Sequence, residues 1–211
     1  MKKNNRNCYQ LIIYVIFVLF LNGCVSVPNS PNPKFYTLYT PDKEKSSQEF
    51  NVLDNTIIGV GPVRIPEYLN RPQIMVSNKD RTIVFDEFNR WAESLDFALA
   101  RLINKDLTLM LKDAAFQMFP WDMAVAVKYQ VIADVVQLEN NLNRDLVFVT
   151  QWSIINLEKK RAVFTKRSEF NQSISPHNYY GLTEALSEVV MSLSAEIAQE
   201  LASQTKPSQA D

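Results

Sequence analysis

Three consecutive segments in the second half of the chain alternate between apolar and polar residues, and this pattern constrains the fold more than any other. The segments cover residues 124–138, 146–155 and 162–170. An alternation of period two places every second side chain on the same face of a β-strand, so each segment predicts a strand with one buried face. The linkers between the segments are short and polar, which predicts an antiparallel meander.

Two other segments have the periodicity of an amphipathic helix. Apolar residues recur at helical spacing from Leu95 to Met110, and a longer stripe of the same kind runs from Leu182 to Leu201. Asn178 precedes the second stripe and is a suitable N-cap residue. Helices with one apolar side must pack on a sheet or on each other. We therefore expect an α/β two-layer sandwich, with a largely antiparallel or mixed sheet and two main helices on one face.

The first half of the chain adds shorter strands to this sheet. Residues 35–39 and 56–63 are rich in aromatic and β-branched side chains, and residues 73–77 and 82–85 flank a polar turn that predicts a hairpin. Gly59 and Gly61 lie within the second of these strands, where glycine indicates a bulge or a close approach of another chain segment.

The N-terminus has the features of a secretory signal peptide. Lys2, Lys3 and Arg6 precede an unbroken apolar run at residues 11–21. This run of 11 residues is shorter than the roughly 20 that a membrane-spanning helix requires. A basic start, a short apolar core and small residues after it favour a cleaved signal over a retained N-terminal helix, which is the alternative.

The cleavage region resembles a bacterial lipobox. Residues 21–24 read Leu-Asn-Gly-Cys, with a small residue directly before the cysteine. Cys24 is the expected lipidation site: its thiol would take a diacylglyceryl group, and its amine would take a further acyl chain after cleavage. We expect no other cofactor. Val25 stands where an aspartate would resemble an inner-membrane retention signal, so we expect the outer membrane, on its periplasmic face.

These observations divide the chain into four parts. Residues 1–23 are the expected signal peptide and 24–33 a lipidated tether, because three prolines with serine and asparagine favour extended chain. Residues 34–203 are the expected single folded domain, and 204–211 a flexible tail.

The composition excludes several classes of function. The formal charge of −1 gives no basic excess for binding nucleic acid, and one histidine with two cysteines argues against a zinc site. No Gly-x-Ser-x-Gly motif exists for a hydrolase nucleophile. His177 precedes a predicted helix and is interpreted as a surface or capping residue. Asp86 and Glu87 are interpreted as turn residues before the first helix. We therefore expect no catalytic residues, no metal site and no enzymatic activity.

One segment differs from ordinary core sequence. Residues 62–74 read PVRIPEYLNRPQI, and prolines at this density exclude a central strand. A rigid loop that carries tyrosine and arginine is typical of a binding surface. The alternative is a structural crossover in which Tyr68 and Leu69 pack onto the sheet, and the sequence favours neither reading over the other.

The mature chain resembles the ABC-type transport auxiliary lipoproteins of the paraquat-inducible protein C type. The resemblance begins with the lipobox at Cys24 and the early strand at 35–38. It is most specific in a stretch of the form V-x-V-P-x-Y-L-x-R-x-x-I-V and in Arg90-Trp91-Ala92-Glu93-Ser94-Leu95, where Ser94 replaces a proline. The first stretch is matched at Val60, Val63, Pro66, Tyr68, Leu69, Arg71, Ile74 and Val76.

The resemblance implies an accessory role in lipid transport between two membranes. Members of this family accompany MCE-domain transport systems, so the implied partner is a periplasmic MCE protein, with the membrane bound through the lipid anchor and a homo-oligomer possible. The candidate partner-binding residues are Arg64, Tyr68, Leu69, Arg71 and Trp91. The alternatives are a structural envelope lipoprotein without a transport role and, less supported, a lipoprotein hydrolase.

Overall fold

The described part of the chain forms eight strands, with one long helix between the fourth and fifth strands and a second after the last strand. The computed structural model describes residues 30–41, 49–51, 56–78, 80 and 82–205. All the elements lie in the second of the two units into which the chain divides, residues 33–211. In chain order they are β1 (Lys34–Tyr36), β2 (Thr56–Arg64), a 3-10 turn (Glu67–Leu69), β3 (Gln73–Ser77), β4 (Ile83–Trp91), α1 (Leu95–Met110), β5 (Ala114–Met118), β6 (Tyr129–Asn140), β7 (Asp145–Asn156), β8 (Arg161–Ser173) and α2 (Tyr179–Thr205).

The strands form two sheets. The larger sheet has the order β5-β2-β6-β7-β8, and the smaller has the order β1-β4-β3. In the larger sheet β2 runs parallel to both of its neighbours, while β6, β7 and β8 form the predicted antiparallel meander. In the smaller sheet β3 and β4 form the predicted hairpin, and β1 adds a short parallel strand.

The core lies between the two helices and one face of the larger sheet. Alternate side chains of β6 and β7 are buried on this face, as the period-two pattern predicts. Both helices contribute buried side chains to the same core, and α2 is buried along most of its length. The predicted α/β sandwich with two main helices and a mixed sheet is confirmed.

The glycines of β2 have the role that the sequence predicts. The register of β2 against β6 shifts between Val60 and Val63, and Gly61 within this bulge has a positive φ of 105°. At Gly59 a Cβ atom would overlap the ring of Trp121. The chain between β5 and β6 therefore crosses β2 closely, and a glycine is needed where it does so.

Three details differ from the sequence-based expectation. The strand expected from residue 124 begins at Tyr129, and β5 was not predicted at all. Asp86 and Glu87, expected as turn residues before the helix, lie inside β4, which continues to Trp91. Asp86 interrupts the regular pairing there, because its carboxylate accepts the backbone N–H groups of Phe88 and Asn89. The expected cap of α2 is present: the Asn178 side chain accepts the N–H of Gly181 at 3.0 Å.

Candidate functional site

The proline-rich segment after β2 carries the chain from the larger sheet to the smaller one. Pro66 cannot donate to a sheet, and the chain turns directly after it, with Leu69 N–H bonded to the Pro66 carbonyl at 2.9 Å. Asn70 N–H bonds the Glu67 carbonyl at 3.0 Å. The segment is thus an ordered crossover that ends where β3 begins.

Tyr68 and Leu69 anchor this crossover to the core. Leu69 is only 5% exposed, which agrees with the packed crossover that the sequence left open as an alternative to a binding loop. Tyr68 is partly buried against the same core. Burial raises the pKa of Tyr68, and a hydrogen bond with the backbone of Leu138 in β6 opposes that rise. Both side chains face the fold rather than a partner.

The Arg71 side chain, in contrast, is directed away from the core. It is exposed, and its guanidinium carbon lies 3.9 Å from the centre of the Phe85 ring. No carboxylate of the described residues forms an ion pair with Arg71. The stacked guanidinium is therefore oriented by an aromatic face, and its N–H groups bond to no other described residue.

Trp91 meets Arg71 at one surface cleft. The backbone N–H of Trp91 donates to the Pro72 carbonyl at 2.7 Å, which ties the end of β4 to the end of the crossover. The Trp91 side chain is 7% exposed and forms part of the floor. The cleft has a volume of about 430 Å³ and is lined by Phe35, Asn70, Arg71, Pro72, Trp91, Ala92, Glu93 and Ser94.

Phe35 gives the cleft an exposed aromatic wall. Its neighbour Tyr36 turns inward, where its hydroxyl donates to Asn89 at 2.8 Å and its ring lies 5.9 Å from that of Tyr179. Because side chains alternate along a strand, Phe35 is directed outward, and it is 62% exposed. Sequence reasoning placed Phe35 in a strand but did not assign it to a site.

An ion pair supports the opposite wall. Arg101 of α1 donates to the Glu93 carboxylate at 2.9 Å and to the Leu38 carbonyl at 3.0 Å. These contacts of Arg101 join α1 to the segment after β1 and hold Glu93 at the cleft. Ser94, which stands at the family's proline position, is the residue before α1 and accepts the Ala98 N–H at 2.9 Å. The helix therefore begins normally without the proline.

Arg64 does not line this cleft. It is exposed at the end of β2, where its guanidinium makes two hydrogen bonds to Asp134 of β6, one of them 3.0 Å long. This contact lowers the pKa of Asp134. Of the five candidate residues, the structure brings Arg71 and Trp91 together, places Tyr68 and Leu69 beneath the same segment, and leaves Arg64 on the larger sheet.

The described part of the chain contains no metal site and no assembled catalytic site. No group of three His, Cys, Asp or Glu side chains there could hold a metal ion. His177 is exposed in the turn before α2. No helix within the described ranges is long and apolar enough to cross a membrane. Cys24, the expected lipidation site, lies outside the described residues.

Comparison with known families identifies the family of this chain. The family model of the ABC-type transport auxiliary lipoprotein component matches residues 36–198, which include both motifs. The chain belongs to this family. A search of curated proteins found no significant match.

Two solved structures have a similar fold to this auxiliary lipoprotein. One is the crystal structure of an uncharacterized protein, with 17% identity, a TM-score of 0.66, and coverage of 81% of this chain and 99% of that one. The other is protein XCC0632 from Xanthomonas campestris, with 12% identity, a TM-score of 0.60, and coverage of 82% and 100% respectively. At these identities the similarity concerns the fold alone.

Proposed function

We propose that this lipoprotein is the outer-membrane-anchored, periplasmic accessory subunit of an MCE-type ABC lipid transport system. Lipid on Cys24 would hold it to the membrane, and the folded domain would dock onto the periplasmic MCE partner. The proposal rests on one observation above all. Residues of both family motifs, Arg71 and Trp91, lie 20 positions apart in the chain and meet in a single surface cleft.

The cleft has the chemistry of a protein-binding surface. Phe35, Pro72 and Trp91 provide apolar area, and Arg71 provides a charged donor that the described residues leave unpaired. Aromatic residues and arginine are enriched among the interface residues that contribute most to binding. The surrounding hydrogen bonds fix the walls before binding, so little conformational entropy would be lost on docking.

The position of the cleft suits an anchored subunit. The expected tether ends at residue 33, two residues before Phe35 at the cleft wall. An extended, proline-rich tether of ten residues would reach about 30 Å, which would limit how far the folded domain can move from the membrane.

Co-purification tests this proposal. Full-length protein is solubilised with its membrane in mild detergent, and the MCE protein of the same cell is quantified in the eluate. Phe35→Ala and Arg71→Glu should each reduce the recovered MCE protein at least tenfold. The matched controls Val136→Ala and Arg144→Glu change exposed residues outside the cleft and should leave recovery unchanged.

Two outcomes would count against the proposal, the first against the MCE partnership and the second against the cleft as its docking surface. If the wild-type protein recovers no MCE protein, a structural envelope role becomes the better account. If wild-type recovery is high but both cleft variants match their controls, the MCE partnership stands and the cleft is not the docking surface.

A further inference from the structure

The two helices of the domain run side by side in the same direction. Arg101 of α1 donates to the Leu38 carbonyl at 3.0 Å, and the N–H of the residue after Leu38 donates to Ser187 of α2 at 3.3 Å. Further along both helices, Ser194 of α2 donates to Asp106 of α1 at 3.4 Å. Because the contacting positions rise together in both helices, α1 and α2 begin at the same end of the domain.

Strands β1 and β4 reach this same end. The ring of Tyr36 in β1 lies 5.9 Å from that of Tyr179, the first residue of α2. The Tyr179 hydroxyl also donates to Asp86 of β4 at 2.7 Å. The chain enters the domain here, because Lys34 is the first residue of β1. We name this part of the domain the entry end: it comprises β1, the middle of β4 and the first turns of α1 and α2.

Three aromatic rings are exposed at the entry end, one from each of three elements. Phe88 of β4 is 42% exposed, Phe97 in the first turn of α1 48%, and Tyr180 in the first turn of α2 57%. Phe97 lies midway in sequence between Glu93 and Arg101, whose side chains bond each other at 2.9 Å. Single exposed apolar side chains are ordinary, but several at one end of a domain mark a contact with a membrane or a protein.

The expected lipid anchor favours a membrane over a protein at this end. The expected tether, residues 24–33, would reach about 30 Å and joins the domain at the entry end. α2 begins there and contains 27 residues, so its far end lies about 40 Å away. The entry end is therefore the part of the domain that the tether would hold nearest to the lipid surface. A protein at this end would compete with the bilayer for the same rings.

The side chains of the entry end have the chemistry of the membrane–water interface. Tyrosine is enriched at the level of the lipid headgroups, and phenylalanine is common on the buried side of elements that lie in the interface. Lys34 is exposed at the start of β1, where its ammonium group suits lipid phosphates. The anchor alone limits the position of the domain, whereas a contact through these side chains would also fix its orientation.

We propose that the entry end rests on the lipid surface, with Phe88, Phe97 and Tyr180 in the headgroup region of the leaflet that holds Cys24. The proposal depends on the lipid anchor of the proposed function and is independent of its MCE partner. The rings make a second, non-covalent contact beside the anchor. The C-terminal end of α2 is then directed away from the membrane, and the domain keeps one orientation instead of rotating freely on its tether.

Fluorescence quenching in vesicles tests this contact. The chain's two cysteines are Cys8 and Cys24, of which the first leaves with the expected signal peptide and the second carries lipid. The cysteine of a Phe97→Cys variant is therefore the only free thiol and takes a fluorescent label. The lipidated mature protein is reconstituted into vesicles of phosphatidylethanolamine and phosphatidylglycerol, in which a fraction of the lipid carries a nitroxide quencher on its acyl chain near the headgroup. The label at position 97 should be quenched at least threefold.

Phe119→Cys is the matched control. Phe119 is 47% exposed and lies in the connection between β5 and β6. The first residue of β6, Tyr129, donates to the Gln204 carbonyl near the far end of α2 at 3.2 Å. A label at position 119 should therefore keep its emission. Phe88→Cys is a second reporter at the entry end and should be quenched like Phe97→Cys. Thermal unfolding shows whether each labelled variant retains the fold.

Three results would overturn the proposal: unquenched labels at positions 88 and 97, equal quenching at position 119, or protein that does not float with the vesicles. The first result would leave the entry end to a protein partner. The vesicles contain no MCE protein, so the outcome is independent of the co-purification experiment. High recovery of MCE protein with unquenched labels would refute only the lipid contact. Quenched labels without recovery of MCE protein would refute only the partnership.

Discussion

Tyr68 and Arg71 are three residues apart and belong to different parts of the molecule. Tyr68 packs against the core and bonds the backbone of β6, whereas Arg71 is exposed on the rim of the cleft. Both were candidate partner-binding residues in the sequence analysis, which also left open a crossover with Tyr68 packed onto the sheet. The structure separates a side chain that holds the crossover in place from one that is available to a partner.

This separation predicts losses of stability of different size for two alanine substitutions. Tyr68→Ala should lower the free energy of unfolding by about 2 kcal/mol, because it removes a half-buried ring from the core. Arg71→Ala should lower it by less than about 1 kcal/mol, since only an exposed cation–π contact is lost. Urea unfolding followed by circular dichroism measures both. Equal losses for the two variants would contradict the assignment.

Asp106 is a buried carboxylate that forms no ion pair with any cation among the described residues. It is 1% exposed and accepts hydrogen bonds from Thr40 at 2.8 Å and from Ser194 at 3.4 Å. Burial raises the pKa of Asp106 to about 6 from its ordinary value of 3.8, although both hydroxyls and the charge of Lys105 oppose the rise. This residue bridges α1, α2 and the segment that follows β1.

The raised pKa predicts a pH dependence of stability. Between pH 3.8 and about 6 the folded protein holds the Asp106 proton more tightly than the unfolded chain does. The resulting stability is fully present below the unfolded pKa and is lost as the pH rises through the folded pKa. Asp106→Asn cannot ionise, so its stability relative to the wild type should increase from pH 4 to pH 7, by up to about 3 kcal/mol.

Urea unfolding at several pH values checks this prediction. The exposed Asp113→Asn is the control, because it removes the same charge without the burial. A difference between Asp106→Asn and wild type that stays constant with pH would show that Asp106 does not titrate in this window.

The start of α2 depends on two particular residues, Asn178 and Gly181. Asn178 caps it, and a Cβ atom at Gly181 would overlap the carbonyl oxygen of Pro176 in the preceding turn. This obstacle is backbone, which cannot move aside as a side chain can. Glycine is therefore required for the turn to pack against the first turn of the helix.

Gly181→Ala should destabilise the fold although alanine favours helices. Relieving the overlap must displace the turn or the helix, and such overpacking costs on the order of 3 kcal/mol. Ser192→Ala, at an exposed position of the same helix, should change stability by less than about 0.5 kcal/mol. Thermal denaturation of both variants gives the comparison. A Gly181→Ala protein as stable as the wild type would show that the turn is loosely packed.

The elements that the sequence predicted well are those whose pattern is set by burial on one face. The meander of β6 to β8 and both helices have this property, and their positions are confirmed. β5 was missed because Ala114–Met118 is a short strand whose alternate residues are only partly buried, so its pattern is weak. The boundary at Tyr129 was missed because residues 124–128 alternate in sequence, whereas Val125 N–H bonds the Asp122 carbonyl and Val127 N–H bonds the Val125 carbonyl, as in a turn.

The cleft was only half predictable for a similar reason. Motifs in the sequence identified Arg71 and Trp91 as candidates. Their proximity depends on the pairing of Gln73 with Arg90 in the hairpin, which places the end of the crossover beside the end of β4. Phe35 reaches the same place through the parallel pairing of β1 with β4, a tertiary contact that local sequence does not encode.

At the scale of the whole molecule, the account predicts a folded domain that is separable from its anchor. Cys24→Ala removes the acceptor thiol, so the protein should lose palmitate labelling and leave the outer-membrane fraction. Its folded domain should still unfold cooperatively, because the hydrophobic core of the described residues lies after residue 33. Fractionation with metabolic labelling gives the first result and thermal unfolding the second. Undiminished labelling would rule out Cys24 as the lipidation site.

The central claim is that the cleft beside β1 binds the MCE partner, and site-specific photo-crosslinking in living cells tests it most directly. A photoreactive phenylalanine analogue is placed at Phe35, which is 62% exposed in the cleft wall, or at Val136, which is 47% exposed on the larger sheet. Irradiation should link the protein at position 35 to the MCE protein and give little or no such product from position 136. Equal crosslinking from both positions, or none from position 35 while the protein is folded and membrane-bound, would contradict the account.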